Sequence, residues 1–93
     1  MQEYEVYDGD EFGVPVHLFA KNSREQVRVS LSEYHRVQCI DLRVFYQADG
    51  KYKPSKKGIT LRKDLYLELF SALNQLGELL GFDEDTLIRA LDN

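Results

Sequence analysis

Three lysines and a glycine stand at the entrance to a short apolar strand in the run Lys53-Pro54-Ser55-Lys56-Lys57-Gly58-Ile59-Thr60-Leu61. A second run, Ile40-Asp41-Leu42-Arg43-Val44-Phe45-Tyr46, places an arginine and two rings near the end of another strand. Cations neutralise phosphates and rings stack on bases, and a single nucleic-acid strand needs both. Neither DNA nor RNA is favoured by these residue types alone.

The average charge hides this chemistry. The 93-residue chain carries a formal net charge of −4, yet residues 1–20 hold −5, residues 21–62 hold +6 and residues 63–93 hold −5. An electrostatic footprint depends on where charge sits rather than on its total. The plainer reading is a solvated sheet face decorated with charge. Composition is that of a globular domain, with 43% hydrophobic and 30% charged residues. No run has the length of a membrane span, and the acidic Met1-Gln2-Glu3 start is unlike a secretory signal. Cys39 is the single cysteine, which excludes an internal disulfide and suggests a reducing, intracellular setting.

Catalytic and metal chemistries lack their constellations. There is no phosphate-cradling glycine loop, nucleophile elbow or His-Glu-x-x-His pattern. His17 and His35 lie far apart with no cysteine pair near either, so neither a metal nor a cofactor is expected. The expectation is a binding protein, not an enzyme.

The elements that must position these groups follow from periodicity. Residues 1–13 form an acidic arm with an Asp8-Gly9 turn signal, and 14–93 form the binding domain. Residues 14–20 are rich in strand formers, with Pro15 suited to a strand start or an edge. Residues 28–34 and 38–46 alternate, with Val29, Leu31, Ile40, Leu42 and Val44 on one side. Arg28, Ser30, Ser32, Cys39, Asp41, Arg43 and Phe45 fall on the other. The turn between them lacks glycine, whereas Asp49-Gly50 is a strong hairpin signal. A last strand spans 58–61. From 63 to 80, Leu65, Leu69, Leu73, Leu76 and Leu80 recur at helical spacing. Gly81 suits the position past that helix, and Asp83 can cap a second, short one. Strands followed by helices predict an α+β fold, an antiparallel sheet covered on one face.

Across residues 27–76 the chain resembles the positive cofactor four family of single-stranded-DNA-binding transcriptional coactivators, which has small bacterial relatives. Ile40-Asp41-Leu42-Arg43 is similar to the family's Ile-Asp-Ile-Arg strand. The cationic run is similar to its Lys-Pro-Gly-Arg-Lys-Gly-Ile-Ser-Leu segment. The resemblance implies a homodimer on a curved four-stranded antiparallel sheet followed by a long amphipathic helix and a short C-terminal helix. It also implies single-stranded DNA bound with little sequence preference, in transcription regulation or in DNA replication and repair. A protein–protein module whose basic face takes an acidic partner segment is the alternative.

Carried over residue by residue, Arg43, Lys53, Lys56, Lys57 and Gly58 match the family's cationic positions, and Tyr46 stands in for a strand-end aromatic, often tryptophan. Tyr34 matches a phenylalanine at a hairpin tip, and His35-Arg36-Val37 replaces a Lys-Gly-Lys run. Arg28, Tyr34, His35, Arg36, Arg43, Tyr46, Lys53, Lys56, Lys57 and Gly58 are therefore the candidate nucleic-acid contacts. For Arg43 the competing assignment is an ion pair with Asp41, two residues away on the same face. Phe45 suits core and stacking equally, and Cys39 reads as packing. The setting implied is the nucleoid of a bacterium or, in a eukaryote, the nucleus, with transcription or replication proteins as further partners. The acidic, aromatic segment 1–12 is expected to compete with nucleic acid for the basic groove.

Overall fold

The structure, a computed structural model, describes residues 12–91. The expected Asp8-Gly9 turn and most of the acidic arm lie outside the described residues. Two compact units divide the chain at Lys63 and Asp64: a sheet unit and a helical unit.

The sheet unit is a four-stranded antiparallel meander in sequence order. Its strands are β1 (Val14–Ala20), β2 (Glu25–Tyr34), β3 (Val37–Ala48) and β4 (Lys51–Arg62). β1 is an edge strand, a position that tolerates Pro15 because half of its N–H groups have no sheet partner to serve. Alternation places the side chains as the sequence expects, with Val27 opposite Val44, Val29 opposite Leu42 and Leu31 opposite Ile40. Polar side chains are nevertheless buried within the sheet unit. Gln26, Arg28, Ser30, Ser32, Asp41 and Arg43 are buried, while Leu31 and Ile59 on the apolar face are 47% and 51% exposed. Every buried side-chain polar atom among the described residues has a partner. Mutual hydrogen bonding is what makes a buried polar face tolerable.

Two hairpins set the register. Asp49 and Gly50 both have positive φ, 55° and 74°, between the paired Ala48 and Lys51, as the sequence predicts. The other turn reaches the same left-handed geometry without glycine: His35 at φ 50° and Arg36 at φ 65° join the paired Tyr34 and Val37. The β1–β2 connection is held by Asn22, whose Oδ1 accepts from the N–H groups of Arg24 and Glu25, both at 2.9 Å.

β4 is longer than expected. The cationic stretch that reads as a loop is strand, interrupted by a bulge that sets Pro54 against Phe45 and Gly58 against Arg43. Ser55 pins the bulge, its hydroxyl donating to the Val44 carbonyl at 2.7 Å and accepting from Lys57 N–H at 3.1 Å. β4 is the second edge, where proline and lysines also discourage pairing with another sheet.

The helical unit contains α1 (Tyr66–Leu79) and α2 (Glu84–Leu91). A 3-10 turn, Lys63–Leu65, precedes α1, so the helix starts after Arg62 and Lys63, whose charges would be unfavourable at its positive end. Gly81, at φ 82°, closes it: Gly81 N–H donates to Glu78 O and Phe82 N–H to Gly77 O. Asp83 caps α2, accepting from the Thr86 N–H and hydroxyl at 2.7 Å each. Those two bonds hold its carboxyl below the usual carboxylate range. α1 leaves Leu67, Phe70, Leu73, Leu76 and Leu79 exposed.

The left-handed turn at His35-Arg36 is a local cost for L-residues. Arg36→Gly is expected to stabilise the sheet by about 0.5–1 kcal/mol, the strain relieved less the extra chain entropy of glycine. A urea titration should show a higher midpoint with unchanged slope.

Candidate nucleic-acid interface

The centre of the polar face is one ion pair. Arg43 Nε donates to Asp41 Oδ1 and Nη2 to Asp41 Oδ2, each at 3.0 Å, a bidentate fork. Thr60 Oγ1 donates to Asp41 Oδ2 at 2.6 Å, and Arg43 Nη1 donates to the Ser55 carbonyl at 2.9 Å. Asp41 is 1% and Arg43 8% exposed. The Phe12 ring lies over the guanidinium, 3.8 Å from its carbon to the ring centroid. Arg43 thus takes the ion-pair assignment, and its edge and one face are occupied within the sheet unit.

Gly58 is explained by the same group. A Cβ there would meet the Leu42 carbonyl at 2.6 Å and Arg43 Cγ and Cζ at 2.9 Å. Only glycine lets the edge strand close over the arginine. Its role is steric.

Arg28 is likewise built in. Its Nε donates to Gln26 Oε1 at 2.6 Å, and its guanidinium lies 4.3 Å from the Phe45 centroid and 5.9 Å from that of Tyr52. Phe45 is buried beneath it, which resolves the choice between core and stacking in favour of core. Cys39 is buried too, its thiol donating to the Val37 carbonyl at 3.5 Å.

The exposed candidates surround this network. Tyr34 is 67% exposed at the β2–β3 hairpin tip, edge-on to His35 at 4.1 Å, with Arg36 exposed beside it. Lys56 and Lys57 are exposed in the bulge of β4. Lys53 is exposed and pairs with Asp49 at 3.4 Å, a contact of little energetic weight in solvent. Tyr46 and Lys53 face each other across β3 and β4, and alternation puts Tyr46 with Leu42 and Val44, opposite Arg43. The candidates are therefore not gathered on one surface. Arg28, Arg43 and Tyr34 share the polar face, and Tyr46 lies on the other.

Charge collects at the two ends of the sheet. At one end the β1–β2 turn meets the end of β3, through Gln47 N–H donating to Arg24 O at 2.9 Å. Glu25 is held there below the usual carboxylate range, chiefly by a hydrogen bond from the Asn22 amide, with the charges of Lys21 and Lys57 acting the same way. At the other end lie Arg36, Arg62 and Lys63. Arg62 and Phe12 line a pocket of ≈ 610 Å³ with Tyr34 and Cys39. Arg62 was legible as a polar-face residue, since Gly58, Thr60 and Arg62 alternate; nothing in the sequence places Phe12. Among the described residues no group of three or more His, Cys, Asp and Glu is arranged to hold a metal.

The family model of the transcriptional coactivator p15 (PC4) matches residues 21–72. The chain belongs to this family. It is 38% identical over 74 residues to the RNA polymerase II transcriptional coactivator SUB1 of Saccharomyces cerevisiae. That match covers 73% of this chain and 25% of the yeast protein, so the chain spans about a quarter of its relative's length. A bacteriophage T5 homologue of the eukaryotic coactivator PC4, implicated in recombination-dependent DNA replication, shares the fold. Its TM-score is 0.69 at 22% identity, covering 82% of this chain and 90% of that one. A MoSub1 complex with single-stranded DNA superposes at a TM-score of 0.51 with 25% identity, covering 80% and 90% of the two chains. The PC4 membership agrees with the motifs from which the resemblance is drawn, both of which fall inside the matched span.

Within this PC4 sheet the buried pair makes a direct prediction. Asp41→Asn strands a buried guanidinium and should destabilise the fold by about 3–5 kcal/mol in chemical denaturation. A pair that was merely exposed would change stability by less than about 1 kcal/mol.

Proposed function

We propose that this PC4-family protein is a non-catalytic, largely sequence-independent binder of single-stranded DNA that acts as a homodimer. The observation that carries the reading is the bulged edge strand, which displays Lys56 and Lys57 in solvent beside a sheet whose arginines Arg28 and Arg43 are buried and hydrogen-bonded within it. Phosphates need the exposed lysines, which act as point charges and release counterions. Arg36 adds an exposed cation at the hairpin end with His35 as a donor beside it, Tyr34 offers a ring to an unstacked base on the polar face, and Lys53 and Tyr46 would meet the strand on the other face. Arg28, Arg43 and Gly58 serve by shaping the surface. Family membership and the MoSub1 complex with single-stranded DNA support this reading. Transcription regulation, or DNA replication and repair, is the process it serves, in a nucleoid or a nucleus.

The exposed leucine stripe of α1 supports the homodimer. Leu73 and Leu76, 56% and 52% exposed in the single chain, suit a helix that packs on its own copy.

Replacing both Lys56 and Lys57 by glutamate should abolish binding to a labelled single strand in fluorescence anisotropy while the dimer persists. Wild-type affinity should fall with salt by about 0.7 in log units, per tenfold rise in salt, for each phosphate contacted. Normal binding by the double variant would place the track elsewhere. If the wild type fails to bind single strands at low salt, an acidic protein segment becomes the better ligand.

Leu73→Asp introduces a charge where the dimer reading needs apolar contact. Sedimentation should show a monomer whose far-ultraviolet spectrum keeps its strand signal. A variant that remains a dimer would remove α1 from the interface.

A further inference from the structure

One carboxylate is fixed among the cations at the β1–β2 end of the sheet. Glu25 opens β2 in register with Tyr46 of β3, and Tyr46 in turn faces Lys53 of β4. Paired residues of an antiparallel sheet share a face, so carboxylate, ring and ammonium form one row. Lys21 Nζ approaches Glu25 Oε1 to 3.5 Å, and Lys57 stands in the β4 bulge, near enough for its charge to act on the Glu25 carboxyl. We propose that Glu25 attenuates single-strand binding: its fixed negative charge among Lys21, Lys53 and Lys57 repels the phosphates those lysines attract. This rests on the single-strand reading above and deepens it by naming the residue that limits its strength.

Asn22 holds the carboxylate in place with both ends of its amide. Its Oδ1 accepts from the Arg24 and Glu25 N–H groups, and its Nδ2 donates to Glu25 Oε1 at 2.7 Å. The turn beneath is closed by Lys21 N–H donating to Glu25 O at 2.9 Å, and Gln47 N–H, donating to Arg24 O, ties it to the end of β3. Asp49 is a different case. It pairs with Lys53 at 3.4 Å from a hairpin tip where its side chain is 89% exposed, free to turn away from an arriving phosphate. Glu25 lacks that freedom. The Asn22 hydrogen bond, with the charges of Lys21 and Lys57 acting the same way, also keeps it ionised at neutral pH.

The charge acts in two ways. Glu25 engages Lys21 before any phosphate arrives, and a strand that reaches both Lys53 and Lys57 passes close to it. A like charge about 4 Å away in water changes an affinity about five-fold, and its influence extends about 10 Å at 0.1 M salt. A purely structural role for the same group predicts a different sign. Were Glu25 only a brace for the turn and its lysines, its loss would weaken binding or leave it unchanged, because an exposed ion pair carries little energy.

The test is a salt series of anisotropy titrations with one labelled single-stranded oligonucleotide. Glu25→Gln keeps an acceptor for the Asn22 amide and removes only the charge. It should bind about five-fold more tightly than wild type at low salt, with the gain narrowing as salt screens the site. Glu25→Lys should bind more tightly still, and should steepen the fall of log affinity with log salt by about 0.7, the slope of one added phosphate contact. Glu84→Gln makes the same charge change on an exposed position of α2 and should stay within about two-fold of wild type. Unchanged affinity in Glu25→Gln overturns the inference and leaves the single-strand reading intact. Weaker binding by that variant also overturns it and makes Glu25 a brace for the lysines. An equal gain in Glu84→Gln overturns it in favour of net charge. Failure of wild type to bind the oligonucleotide at low salt removes the single-strand reading and the inference together.

Discussion

The sheet is organised around the buried fork between Asp41 and Arg43. A carboxylate at 1% exposure persists only when its charge is matched and its lone pairs are filled, and Arg43 and Thr60 do both. That requirement reaches outward. Thr60 and Ser55 bring β4 into register against β3, Gly58 leaves room for the guanidinium, and Phe12 lies on top of it. The arginine of this strand motif is tied into the scaffold through both oxygens of Asp41.

This division of labour follows from electrostatics. A fully paired arginine inside a sheet has little left to offer a phosphate, whereas a lysine in a bulge keeps its charge in water and reaches a mobile ligand. The proline, the bulge and the lysines of β4 also solve the problem of an open sheet edge with the same residues that would bind nucleic acid.

Most of the secondary structure was legible in the chain. Alternation across 28–34 and 38–46 separated the two faces correctly, the leucine spacing located α1, and Asp49-Gly50, Gly81 and Asp83 marked turn, stop and cap. Burial was less legible. Alternation tells which side chains share a face, but not that polar side chains such as Asp41 and Arg43 would be buried. That outcome depends on hydrogen bonds whose partners come from different strands. The loop expected before Gly58 is a strand for the same reason, since pairing with β3 overrides a polar, proline-containing composition.

Periodicity, turn chemistry and capping act over a few residues, and they are what the amino-acid order alone determined: the number of elements, their sequence, and the family motifs on them. Tertiary structure decided the rest. It joined Asp41 to Thr60 and Arg43 to Ser55, set Tyr46 across the sheet from Arg43, bent His35 and Arg36 into a left-handed turn, and brought Phe12 and Arg62 to one pocket. Most of these contacts link residues far apart along the chain, where register and strand order, rather than local preference, decide which groups meet.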